Sequence, residues 1–192
     1  MSELLKIGIS PENIDFSIKA EERQIADYQS QITSAAFAAW GDYWPQRISE
    51  RVKRSDLFPH IAKTTATVAR ILGLNKLPRL GLQNGLEVGM LNYLGYCWED
   101  AGQIWVGLDE SWFGDISEEV AESGENISPY LRVQISLVMA EEVFHAYIRE
   151  VNPALAEENI RANHSGNPET YWNCMGERAA KEFALLYVLQ EK

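Results

Sequence analysis

The chain predicts a single α+β domain in which a small antiparallel sheet packs on a buried helix. Three observations carry this. Helical stretches lie toward both ends, two aromatic and β-branched runs flank an Asp/Gly turn in the middle third, and neither an internal repeat nor a Pro/Gly/Ser linker divides the 192 residues. With 46% hydrophobic and 23% charged residues, the composition is that of a globular protein and not of a disordered or fibrous one.

In chain order, Ser10-Pro11-Glu12 reads as a helix start, because proline suits the first helical position. A helix rich in Ala is expected from about Ile18 to Trp40. The segment Trp40-Gly41-Asp42-Tyr43-Trp44-Pro45 interrupts it, and a stretch from about Gln46 to Lys53 continues it, so residues 1–53 form an N-terminal helical extension to a core at 54–192. A second helix is expected from Leu57 to Leu72, ending at Gly73, where glycine accepts a left-handed cap.

After Pro78 the pattern changes. Leu80-Gly81-Leu82 is short and apolar, and the runs Gly89 to Trp98 and Gln103 to Leu108 are separated by Glu99-Asp100-Ala101-Gly102, the signature of a hairpin. The acidic stretch from Asp109 to Ser128, with Glu110, Asp115, Glu118, Glu119, Glu122 and Glu125, is expected to be an exposed loop with one short helix that keeps the surface soluble. A helix then runs from Pro129 to Glu150, followed by a turn at Asn152-Pro153, a loop at 163–168 and a last helix from about Glu169 to Gln190.

Charge and cysteine usage exclude several classes of function. The 17 Lys and Arg against 28 Asp and Glu give a formal net charge of -11, and no basic cluster is denser than Arg51-Val52-Lys53-Arg54, so nucleic acid is not expected as a primary ligand. The apolar runs fall short of the roughly 20 residues that span a bilayer, and the first residues lack a signal-peptide pattern, so the expectation is a soluble, cytoplasmic protein without a membrane partner. Cys97 and Cys174 have no CxxC spacing and read as buried thiols.

The helix at 130–150 carries the chemistry. Placed at 100° intervals, Leu137, Val138, Ala140, Val143, Phe144, Tyr147 and Ile148 fall on almost every side, so the helix should be buried nearly all round. Yet Glu141, Glu142 and His145 share one sector of about 100° with Gln134. A Glu and a His one turn apart can ligate one divalent cation while the adjacent Glu accepts a proton from water, the arrangement behind H-E-x-x-H. Here the motif reads Glu141-Glu142-Val143-Phe144-His145, with Glu in place of the first His.

In these features the chain resembles the zincin metallopeptidases: a hairpin strand, QIWVGL, precedes a buried helix carrying MAEEVFHAY, and a downstream helix carries an acid. Glu177 to Leu186 is similar to the third-ligand helix of ImmA/IrrE-type peptidases, which has a Glu ahead of Phe-Ala-x-x-Leu. On that likeness Glu177 is the third ligand. The run His145-Ala146-Tyr147 resembles, less closely, SprT-like proteins, whose later His-Gly would correspond to His164-Ser165-Gly166 with one residue inserted; the acidic charge disfavours this version, since those proteins act on DNA-bound substrates. The resemblance implies a zincin-like fold, Glu142 as the general base toward water, and Glu141, His145 and Glu177 as metal ligands. It further implies a protein or peptide substrate whose backbone lies along QIWVGL as an edge strand. A carboxylate at 141 hardens the site and shifts preference from Zn toward Mn or Fe.

Other readings of the same residues stand beside this one. His145 can be a satisfied core histidine, Glu141 or Glu142 can face solvent beside Arg132 or Arg149, Glu177 can form a surface salt bridge with Lys181 at i, i+4, His164 can be an exposed loop residue, and His60 carries no signal. Two further functional classes remain. One is a zincin-shaped binding module without catalysis, its six Trp and eight Tyr building a groove where they do not build the core. The other is a ferritin-like di-iron bundle, in which Glu-x-x-His occurs twice; only one occurs here.

Overall fold

A computed structural model describes residues 2–41, 46–85, 93–123, 126–165 and 167–191. The chain is α+β. Helix α1 (Glu3–Lys6) is followed by a 3-10 turn at Pro11–Asn13, then α2 (Glu22–Trp40), α3 (Gln46–Arg54) and α4 (Leu57–Ile71). Strand β1 (Arg79–Gln83) precedes the hairpin β2 (Gly95–Asp100) and β3 (Gln103–Asp109), and five helices complete the described chain: α5 (Glu110–Ser123), α6 (Pro129–Val151), α7 (Pro153–His164), α8 (Pro168–Trp172) and α9 (Met175–Gln190).

Pro11 therefore starts only a 3-10 turn, and α2 begins at Glu22, where Glu21 and Gln24 form a reciprocal capping box. Helix α4 ends as expected, with Gly73 at φ 64°. The first residues of the expected strand at 89–98 lie outside the described residues, as does most of the interruption at 41–45. Asp100 pairs with Gln103, and Ala101 and Gly102 at φ 48° and 75° form the two-residue turn, whose positive φ values match the twist of a tight hairpin.

The sheet is mixed, not antiparallel. Its order is β1-β3-β2, with β1 parallel to β3 and β2 antiparallel to it. QIWVGL is therefore the central strand, and β2 is an edge of the described sheet. The strand at 79–83 sets this outcome: Gly81 lies under the Trp98 and Trp105 indoles, which stack with centroids 5.8 Å apart, so a residue without a side chain lets β1 close on the aromatic face. The opposite face carries Leu80, Val106 and Leu108 into the core.

The acidic stretch after β3 is a 14-residue helix and not a loop. Phe113, Ile116, Ser117, Val120 and Ala121 recur at helical spacing and are buried, while the acids occupy the other face. Asp109 starts it, accepting from the Ser111 and Trp112 amides at 2.9 and 3.1 Å. Similarly, the turn at Asn152 launches α7, with the Asn152 side chain accepting from the Leu155 amide and Leu155, Ala156, Asn159 and Ala162 buried. The expected last helix is broken into α8 and α9 at Asn173 and Cys174. Among the described residues no helix is long and apolar enough to cross a membrane.

Helix α6 is the axis of the core. It packs against α4, α7, α9, β2 and β3, and from Gln134 to Glu150 none of its residues is fully exposed. Phe144 stacks on Phe183 of α9 with centroids 4.9 Å apart, and Phe16 adds a third ring 5.9 Å from Phe183. Phe183→Ala should therefore cost about 3–5 kcal/mol, read as a lowered urea midpoint with an unchanged slope.

Candidate metal centre

The register of α6 against α9 builds the site. Glu141 and His145, one turn apart on α6, face Glu177 in the first turn of α9, and one ligand atom from each lies within 4.8 Å of the others. Glu177 is wholly buried. Its Oε2 stands 3.2 Å from His145 Nε2 and its Oε1 2.9 Å from Lys181 Nζ, which in turn sits 3.4 Å over the Trp172 ring. The salt bridge between Glu177 and Lys181 thus exists, but its acid end is in the core.

These contacts are close without being aligned. Neither Glu177 oxygen, nor His145 Nε2, makes a well-directed hydrogen bond. These three buried atoms rest on ion pairing within the cluster, and a cation is one group that would coordinate them. Ligand bonds of about 2.0–2.2 Å require donors roughly 3–4 Å apart; His145 Nε2 and Glu177 Oε2 are 3.2 Å apart, and the three lie within 4.8 Å. Two carboxylates and one imidazole therefore fit a divalent metal ion, with oxygen donors in the majority.

Glu142 takes the neighbouring direction. It is buried and aimed at β2, where a methyl group on Gly95 would come within 2.8 Å of its Cγ and 2.9 Å of its Oε1. Gly95 thus lets the sheet edge close on the carboxyl. Glu142 and His145 together line a cavity of about 200 Å³ that is walled by β2, α6, α7 and Tyr171 of α8. The break between α8 and α9 delivers Tyr171 there, and Asn159 fills the space over Gly176, where a side chain would collide with it.

The acids and the imidazole set one another's charge. Burial raises Glu142 to about 8. Burial, and then the Glu177 charge, raise Glu141 to about 7. For His145 burial opposes the charged form, but Glu177 and the two acids of α6 outweigh it and lift it to about 9. Burial alone would raise Glu177; His145, Tyr171 and Lys181 instead hold it down at about 2. The metal-free centre is accordingly an imidazolium against a carboxylate, with protonatable acids alongside. Tyr171 stays a phenol, since burial and the Glu177 charge push its ionisation far upward.

Of the four site residues expected from the sequence, Glu141, His145 and Glu177 come together, and Glu142 lies beside His145 on the cavity side. His164 does not join them: it is exposed at the end of α7. His60 lies elsewhere, buried with Nε2 3.0 Å from the Arg132 carbonyl and 3.1 Å from Ser136 Oγ. Both cysteines are free, Cys174 buried and Cys97 partly so. Tyr171, Gly95 and Asn159 join the site without being expected from the sequence; the Tyr-Trp pair just before α9 is the signal that marks Tyr171.

Two outcomes follow from these charges. A cation at this centre must displace the His145 proton, so apparent Mn or Zn affinity should rise at least about tenfold per pH unit up to pH 9, with proton release measured calorimetrically in buffers of different ionisation enthalpy. In the metal-free chain, the folded state binds more protons at Glu142 than the unfolded state does between its ordinary range and about 8. Its ionisation therefore destabilises folding as pH rises. Glu142→Gln should gain thermal stability relative to the parent chain from pH 5 to 9.

Comparison with family models, curated proteins and solved structures finds no match to this chain.

Proposed function

We propose that this chain is a metal-dependent hydrolase of peptide bonds, with the zincin-like arrangement of a motif helix, a sheet edge and a third-ligand helix. The observation that supports it most is the convergence of Glu141, His145 and Glu177 within 4.8 Å, with Glu142 on the next position of the same helix facing the adjoining cavity. A sheet of three strands and a single such group among the described residues leave the di-iron bundle without support.

A divalent cation held by Glu141, His145 and Glu177 would supply a Lewis acid that acidifies water and polarises a carbonyl. The rest falls to the chain. Glu142, whose burial brings it near neutrality, accepts a proton from water as the oxygen bonds to the carbonyl carbon, then delivers it to the nitrogen as the C–N bond breaks. Tyr171, a phenol in the wall whose O–H meets Glu177, would have to turn from that acid to donate a hydrogen bond to the carbonyl oxygen as charge develops there. Substrate backbone would run along β2, the edge that lines the cavity, and not along β3. Two carboxylates among three ligands favour Mn or Fe over Zn.

Mass spectrometry of metals in protein purified without a metal-binding tag tests this. The expected result is about one transition-metal equivalent, lost in His145→Ala and kept in Glu142→Gln, with peptide hydrolysis reduced at least about 100-fold in Glu142→Gln. Absence of metal after incubation with Zn, Mn and Fe would overturn the reading. Bound metal and bound peptide without turnover would identify a binding module instead.

A further inference from the structure

The wall of the cavity holds one cation that hydrolysis does not use. Arg149 lies on α6 one turn past His145, and, apart from it, Glu142 and His145, every residue lining the cavity is uncharged. Its Nη2 donates to the Cys97 carbonyl at 3.3 Å, which fixes the guanidinium against β2, while Nη1 is 4.0 Å from the exposed Glu99, too far for a hydrogen bond. A guanidinium has five N–H donors, more than the Cys97 carbonyl, the Cys97 thiol and the half-exposed Glu99 carboxylate engage. A planar cation so placed is poised for a second, bidentate partner, and a carboxylate has the matching geometry.

Spacing and volume narrow that partner. His145 and Arg149 lie one turn apart on one face of α6 and both line the cavity. The cavity, of about 200 Å³ and open on one side, has room for a side chain. Tyr93, Tyr96, Trp98, Tyr171, Ile148 and Ile160 make its wall largely aromatic and apolar.

We propose that Arg149 anchors the terminal carboxylate of the substrate, which is therefore a short peptide or N-acyl amino acid ending in an apolar or aromatic residue. This rests on the cavity being the substrate site of the proposed hydrolase, and it makes the enzyme one that removes a last residue and does not cut within a long chain. In such a step the water oxygen bonds to the penultimate carbonyl carbon, the C–N bond breaks, and the released amino acid leaves with its carboxylate still on Arg149.

The test is binding of N-acetyl-L-phenylalanine and of its amide, followed by calorimetry on the protein as purified and after chelation, so that Arg149 is read apart from any metal. The acid should bind at least about tenfold more tightly than the amide in both preparations. Arg149→Gln should abolish that preference while leaving amide binding unchanged. Equal binding of acid and amide by the parent chain, absence of binding by either, or a loss in Arg149→Gln that is equal for both ligands would overturn the proposal, the last showing that Arg149 only straps β2 to α6. An acid preference without hydrolysis would remove the hydrolase reading and keep the carboxylate site; hydrolysis of blocked peptides as fast as of free acids would do the reverse.

Discussion

A carboxylate with no exposed surface, Glu177, stands between the two helices that make the core, and its charge has to be met from within. An unpaired ion in that position would cost several kcal/mol, so the chain surrounds it with His145 from α6, with Lys181 one turn along α9 and with the Tyr171 hydroxyl. The packing of α6 on α9 and the chemistry of the site are therefore one constraint. The helices cannot slide or rotate past each other without stranding the acid, and the Phe144 and Phe183 stack, just beneath, holds the same register by shape.

A second constraint comes from the sheet. Gly95 and Gly81 are two of the places where a missing side chain shapes the sheet: the first admits Glu142 against β2, the second admits two stacked indoles against β1. Between them they fix which strand is the edge. Because β2 and not β3 is an edge of the described sheet, the acid, the cation and the strand edge share a single cavity.

Much of this was legible in the sequence, and the reasons are local. The conflict between an all-round apolar helix and two adjacent acids with a histidine pointed to Glu141, Glu142 and His145, because only a buried role explains charged residues at those positions. The hairpin followed from two β-runs and an Asp/Gly-containing connection at 99–102. Other parts depended on signals that compete. In the stretch after Asp109 acidity masked an apolar face at helical spacing, from Phe113 to Ala121, and charge was read as exposure. The direction of β1 relative to β3 depends on a connection between distant segments, which no local pattern encodes. Tyr171 and Arg149 belong to the cavity only because α8 breaks from α9 and β2 folds back over α6, and neither event leaves a mark in residue spacing.

The N-terminal helix has a consequence for how the molecule is made. The Glu3 and Leu4 amides both donate to the Glu182 carboxylate, the latter at 3.0 Å, and Arg178 pairs with Glu3, so α1 is seated on α9, nearly the whole chain away. On the ribosome, the earliest of these segments to emerge must wait, with Leu4 exposed to solvent, until the latest has been synthesised. Glu177 lies on that same late helix. Closure of the hydrophobic core, docking of α1 and assembly of the charged centre are thus coupled into one event that waits for α9, and a nascent chain stalled short of α9 would present an incomplete core to chaperones and proteases.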